Sequence, residues 1–324
     1  MYVILYVAKM MKIFLGEIFG KKIGGVMDLK KNRVTMNKHY KYIHLDPIPD
    51  EKELGLFYES MYYDLIRRGE RAIEIKRLIS GGEEAENELN WLKKTLYSDI
   101  SYFLGKNKCK KILDVGCGTG NLIEHLNQDG FYTCGIDLSK DAINIAQKKS
   151  LNVYEASLKT FKNEYSDDKD FQFSSVIMIN VLEHVPNPVQ FIEDVKEYLV
   201  SGGILCLRVP NDFNEIQKIA VDDLEKDPWW IAKPDHINYF TFDSLHYLLE
   251  QLGFEIIHSQ GDFPMELFLL MGEDYIHDKK VGFECHKKRM ALELSLTPEL
   301  RRKMYTSLGK IGISRTCFVI AKLR

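Results

Sequence analysis

Three groups of residues in this chain have the types and spacing to do chemistry. The first is a run of glycines, Gly116, Gly118 and Gly120, which follows Lys111-Ile-Leu-Asp-Val115 and precedes Asn121. An apolar strand that ends in such a run and opens into a helix turns tightly and lets a ligand approach the backbone. It also aims free N–H groups at a carboxylate or phosphate. The second is Asp137, the last residue of Cys134-Gly-Ile-Asp137. A carboxylate there can accept both hydroxyls of a ribose. The third is a pair of histidines, His184 and His236. Histidine is the usual base for freeing a hydroxyl near neutral pH, although each ring also reads as a structural one, His184 shaping its loop and His236 bonded to backbone. Tyr239 reads as a pocket-lining or a packing residue, and Trp229 with Trp230 as a stacking wall or as core.

Positioning these groups requires alternating strands and helices, and the chain from Cys109 onward supplies them. Apolar runs at 111–115, 132–136, 152–156, 173–180, 203–209 and 254–257 read as strands. Between them lie helical segments from Asn121 to Gln128, from a Ser139 cap to Lys149, from Pro188 to Leu199, and from a Thr241 cap to Leu252. Such alternation predicts a mostly parallel sheet covered on both faces. Residues 262–313 look mainly helical and precede a last strand, Thr316-Cys-Phe-Val-Ile-Ala321. Upstream, Leu45-Asp-Pro-Ile-Pro49 cannot be helical, because each proline biases its predecessor to extended geometry. Asp50 then caps a helix, and Glu84 to Leu104 carries an apolar face of Leu89, Leu92, Leu96, Ile100 and Phe103. The expected division is an extension over 1–39, a helical cap over 40–105, and a main domain over 106–324 that includes the helical insertion.

Composition narrows the function. The 44 basic and 47 acidic side chains give a net charge of -3, so no basic face for nucleic acid is evident. The six cysteines show no C-x-x-C pair or zinc spacing. They read as reduced core thiols, consistent with a cytoplasmic setting, and no metal is expected. The apolar start, Met1 to Ala8, is interrupted by Lys9 and Lys12, too early for a membrane span. A misplaced start, with Met27 or Met36 as the true one, or a membrane-surface helix are alternative readings of this extension.

A dinucleotide fingerprint is G-x-G-x-x-G, whereas this chain has G-x-G-x-G, one residue tighter, with Asp114 two positions before the first glycine. That pattern resembles motif I of class I methyltransferases. Met178-Ile-Asn-Val-Leu-Glu-His-Val185 and Leu199-Val-Ser-Gly-Gly-Ile-Leu205 resemble segments of the ubiquinone-biosynthesis-like group. Asp46-Pro-Ile-Pro49, Pro234-Asp-His-Ile-Asn-Tyr-Phe-Thr241 and Phe263-Pro-Met-Glu-Leu-Phe268 are similar to bacterial members associated with sugar or polysaccharide modification.

The resemblance implies a doubly wound, Rossmann-like α/β fold with seven strands, the last antiparallel. It implies S-adenosylmethionine as cofactor and a small-molecule methyl acceptor, with a sugar or sugar nucleotide as the preferred class, and no nucleic-acid or membrane partner; a homodimer is compatible with it. Asp114, Gly116, Cys117, Gly118 and Gly120 would line the methionine part of the cofactor. Asp137 would hold the ribose and Leu138 the adenine. Ser157 and Leu158 would edge the adenine, although many relatives carry an acid near Ser157 and this chain does not. Asn180 would face the cofactor near its sulfonium, with His184, His236 and Tyr239 at the acceptor. The competing readings are a quinone or lipid-intermediate methyltransferase, a non-catalytic methyltransferase-like binding protein, and an NAD-dependent oxidoreductase.

Overall fold

The structure is a computed structural model that describes residues 33–57, 77–78, 81–165 and 171–324. The extension up to residue 32, and residues 58–76 after the helix that Asp50 caps, lie outside the described residues. Val34–Arg324 form one compact unit.

Its frame is a seven-stranded sheet in the order β5-β4-β3-β6-β7-β10-β9. The strands are β3 (Lys111–Val115), β4 (Tyr132–Asp137), β5 (Val153–Glu155), β6 (Phe173–Ile179), β7 (Leu199–Pro210), β9 (Phe254–Gln260) and β10 (Thr316–Leu323). β3 pairs parallel with both β4 and β6, and β6 with β7. β10 runs antiparallel between β7 and β9. From β3 the chain winds one way to β4 and β5, then returns to lay β6 on the other side. That reversal puts a topological switch between β3 and β6, where open α/β sheets bind ligands beyond the carboxyl ends of their strands.

Alternation along the strands divides the core. Leu113 and Val115 face a cluster with Met178, Leu207, Val319, Phe161 and Leu245. Ile112, Ile177, Cys206 and Phe318 face the other, under Trp91, Ile100, Phe103 and Leu122. Both faces are covered, as near-continuous apolar strands require. All six cysteines are buried free thiols.

Several helices begin at a side-chain cap. α1 (Glu51–Phe57) is preceded by Asp50, whose carboxylate accepts the Glu53 N–H at 2.7 Å while Glu53 reaches back to the Asp50 N–H at 3.2 Å. After α2 (Gly82–Leu92) a π-helical turn, Lys93–Tyr97, leads into α3 (Ser98–Lys106), where the sequence read one uninterrupted helix. α4 (Asn121–Gln128) follows the glycine run directly, and Ser139 caps α5 (Lys140–Lys148). α6 (Leu158–Tyr165), α7 (Pro188–Lys196) and α8 (Glu215–Leu224) come next. Thr241 and Ser244 close a capping box on α9 (Phe242–Gln251). The expected insertion is present as α10 (Glu266–Leu270), α11 (Lys279–Ser295) and α12 (Pro298–Lys310).

Two strand expectations need correction. β7 starts at Leu199, four residues before the expected strand, because Val200–Gly203 pass through a register irregularity opposite Phe173–Ser175 and not through a free turn. The segment at 40–50 is also not wholly helical. β1 (Arg33–Met36), β2 (Ile43–Asp46) and β8 (Asn238–Tyr239) form a second, three-stranded sheet, with Ile43 opposite Tyr239. No short-range signal marks that pairing, since its partners lie almost two hundred residues apart.

Candidate active site

The glycine loop is built from the strand upward. Gly116 and Cys117 both donate to the Ile136 carbonyl, at 2.8 and 3.1 Å, which ties the loop to the neighbouring strand. Gly116, Gly118 and Gly120 all have positive φ, at 77°, 53° and 75°. A β-carbon on Gly116 would sit 2.6 Å from Val181, and one on Gly120 2.5 Å from Leu151. At Gly118 nothing lies within 4 Å, so this stretch of loop faces open space beside the amino end of α4. Open space over Gly118 and the amino terminus of α4 together fit an anionic or amphoteric ligand lying over the loop.

Asp137 sits on the adjacent strand end. Its carboxylate accepts the Gly118 N–H at 2.8 Å on one oxygen and the Ser139 N–H at 2.7 Å on the other. Each oxygen keeps a lone pair, so the group still suits a vicinal diol while bracing the loop. Leu138 next to it is 77% exposed, as a side chain waiting to cover a ring would be. Asp114 is buried. Desolvation first, and then the nearby Asp137 charge, push its carboxyl up to about 7. Cys117 is buried, and desolvation raises its thiol far above the ordinary range, so it is a packing residue of the loop and not a nucleophile.

Ser157 and Leu158, which follow β5 and Ala156, sit differently from the expectation. The Ser157 hydroxyl accepts the Thr160 N–H at 3.1 Å, as a cap of α6. Leu158 is 5% exposed and packs in the core, and its carbonyl accepts the Tyr198 hydroxyl. Only Ser157 stays near the surface; the Leu158 side chain is turned away because it begins a helix whose apolar face covers the sheet.

Beyond β6 the chain brings distant residues together. Asn180 ends the strand exposed, with φ 55°. Leu182–His184 is a 3₁₀ turn, and the His184 ring meets the His236 ring edge-on at 4.9 Å between centroids. His184 Nδ1 lies 2.8 Å from the Asp235 carbonyl. A carbonyl only accepts, so in the neutral ring Nδ1 carries the hydrogen and Nε2 the lone pair. Glu183 beside it is 1% exposed; burial raises its carboxyl, while His184 and Arg208 pull the other way.

Asp235 is a residue that sequence reasoning missed. One ligand atom each from His184, Asp235 and His236 lie within 4.8 Å of one another, a donor set suited to a divalent cation, where the sequence pointed to none. The Asp-His dipeptide carries no recognisable metal spacing, so only the fold reveals the grouping.

Tyr239 is not at this surface. It is 1% exposed in β8, packed with Leu45 and Trp230 and edge-on to Phe213, a packing ring and not an accessible acid or base. Trp229 and Trp230 belong to the same small cluster, so the stacking wall is mostly interior. An open crevice of about 570 Å³ lies elsewhere, between the π turn, the end of α4 and the α11–α12 junction. None of the expected site residues lines it. Among the described residues no helix is long and apolar enough to cross a membrane.

Comparison with known proteins agrees with the geometry. Residues 89–259 match the model of the methyltransferase domain family, more than half of the chain. The mitochondrial ubiquinone biosynthesis O-methyltransferase of Dictyostelium discoideum is 34% identical over 115 residues, 31% of this chain and 35% of that protein. The Azoarcus ubiquinone biosynthesis O-methyltransferase is 37% identical over 107 residues, 32% of this chain and 45% of that one. That of Dinoroseobacter shibae is 30% identical over 157 residues, covering 47% and 62%. The chain thus spans less than two thirds of the length of these relatives. Among solved structures, magnesium protoporphyrin IX methyltransferase from Synechocystis with bound SAH aligns over 85% of this chain and 100% of that one, with a TM-score of 0.49 and 13% identity. Glycine loop, strand-end aspartate and family match converge: the chain belongs to the methyltransferase domain family, in its class I, ubiquinone-biosynthesis-like group, whose cofactor is S-adenosylmethionine.

Proposed function

We propose that this chain transfers a methyl group from S-adenosylmethionine to a hydroxyl of a small acceptor. The observation that carries the reading is the pairing of the Asp137-braced glycine loop with a His184 ring whose Nε2 lone pair lies just past the end of β6. When bound, the cofactor supplies an already activated methyl on its sulfonium. The protein's share is then to hold both partners in line and to take the hydroxyl proton. Asp137 holds the ribose, the loop from Gly116 to Gly120 takes the methionine part, and Leu138 covers the adenine. His184 accepts the proton on Nε2, with its tautomer fixed by the Asp235 carbonyl, and His236 packs against it.

O-methylation is the chemistry that the relatives' names carry. Those names also favour a quinone intermediate as acceptor, which is the second reading. The sugar or sugar-nucleotide acceptor expected from the flanking motifs has no counterpart among these relatives. The test is calorimetric titration with S-adenosylmethionine, S-adenosylhomocysteine and NAD, followed by labelled-methyl transfer to panels of catechols and of nucleotide sugars. Asp137→Ala should abolish adenosyl binding, and His184→Ala should spare binding while suppressing transfer. Binding of NAD in place of the adenosyl ligands overturns the reading.

A further inference from the structure

Asn180 is held by one residue through two hydrogen bonds. Its N–H donates to the Arg208 carbonyl at 2.8 Å, and Arg208 Nη1 donates to Asn180 Oδ1 at 3.1 Å. The backbone bond secures a left-handed residue at the strand end, and the side-chain bond sets the direction of the amide. A guanidinium can only donate, so the amide oxygen must turn inward and the NH₂ end outward. The second arm of the same fork, Arg208 Nη2, reaches Asp262 Oδ2 at 3.5 Å.

Asp262 is the junction. It accepts the Thr316 N–H at 2.9 Å and Arg289 Nη2 at 3.0 Å. Arg289 continues to Glu293 at 3.0 Å, and Glu293 takes the Trp91 indole N–H at 2.5 Å and the Tyr305 hydroxyl. Arg208, Arg289 and Glu293 are all buried. A continuous run of charged hydrogen bonds therefore links the exposed amide at the end of β6 to α11 and α12 of the insertion and to α2.

We propose that Arg208 is a positioning residue: it fixes the Asn180 amide with its NH₂ outward, as a donor to an oxygen at the amino-acid end of the adenosyl cofactor, and Asp262 transmits the placement of the helical insertion to it. The inference rests on the cofactor reading above. Without the fork, an exposed asparagine can turn either end of its amide outward, and ligand binding must then pay for the ordering. Lysine at this position would keep the buried positive charge but could not serve Asn180 and Asp262 together.

The experiment is calorimetric titration of the full chain with S-adenosylhomocysteine and, separately, with adenosine. Adenosine lacks the amino-acid part, so it reports on the Asp137 end alone. Arg208→Lys and Asn180→Ala should each weaken S-adenosylhomocysteine about tenfold, the scale of one charge-assisted hydrogen bond, and leave adenosine unchanged. The double variant should be no weaker than Asn180→Ala, because both act through one contact. Asp262→Asn should give the same selective loss to a smaller degree, and it carries the discrimination if Arg208→Lys does not fold. Unchanged S-adenosylhomocysteine affinity in Arg208→Lys or Asp262→Asn overturns the inference, as does an equal loss of both ligands or simple additivity in the double variant. Wild-type protein that binds neither ligand sinks the cofactor reading beneath it, whereas wild-type binding with indifferent variants sinks this inference alone.

Discussion

The two halves of the large sheet solve the same task in different ways. On the β3–β4–β5 side every site residue lies between Asp114 and Ser157, and the contacts that shape the loop are short-range. Gly118 meets Asp137 nineteen residues away, and Gly116 meets Ile136. On the β6–β7 side the site is assembled from segments that are remote in sequence. His184 meets Asp235 across 51 residues, Arg208 meets Asp262 across 54, and Trp91 meets Glu293 across 202. The first half is a local device set by its motif. The second is a property of the whole fold, and buried charge pairs hold it in register.

The contrast can be broken at its strongest point first. Glu293→Ala removes the shared acceptor of Trp91, Arg289 and Tyr305, leaving a buried guanidinium short of a partner. Urea unfolding should show a loss of about 3–5 kcal/mol. A loss under about 1 kcal/mol would mean that the network decorates the insertion without securing it.

On the local side, Gly135→Ala places a methyl 2.3 Å from Ile123 and 2.8 Å from the Cys117 sulfur. It should cost about 1–3 kcal/mol by overpacking, with weaker adenosyl binding because Cys117 belongs to the loop. Thermal melts and titration together read this, and a stability loss with binding intact would separate the loop from its supporting strand.

Asp114 sharpens the comparison through pH. Its folded-state carboxyl is raised to about 7, so the stability it contributes is present below its unfolded value and is lost as pH climbs toward 7. The cationic cofactor favours the carboxylate, so binding should release a proton below about pH 7, tighten several-fold as pH rises toward that value and level off above it. Calorimetry in buffers of different ionisation enthalpy measures the release, and Asp114→Asn should abolish it. The smallest effect belongs to Leu138→Ser. The side chain is exposed, so melting should not move, while adenosine affinity should fall by about 1 kcal/mol through lost apolar cover.

Much of the cofactor side is legible in sequence. Strand, glycines, helix and strand-end acid follow one another within 27 residues, and Ser139 and Thr241 mark their helices by capping chemistry that acts over three residues. Leu158 and Tyr239 were harder to read because their types fit a pocket and a core equally well, and burial in the folded chain decides between the two. The π turn at Lys93–Tyr97 left no trace in the periodicity, since the four-residue steps Leu92, Leu96 and Ile100 that cross it fit an α-helical face equally well. The small β1-β2-β8 sheet, the Asp235 grouping with the two histidines, and the Arg208–Asp262–Arg289 chain were invisible for a common reason. Each joins residues whose separation carries no period or motif.

By itself the sequence determined the strand–helix alternation, the glycine loop and its aspartate, and the family to which they belong. These depend on backbone freedom, capping and two- or four-residue periodicity, all of which act over short distances. Only the tertiary structure decided which histidine nitrogen carries the lone pair, which side chains are buried, and which arginine orients Asn180. Those depend on desolvation and on directional hydrogen bonds between segments that packing alone brings within 3 Å.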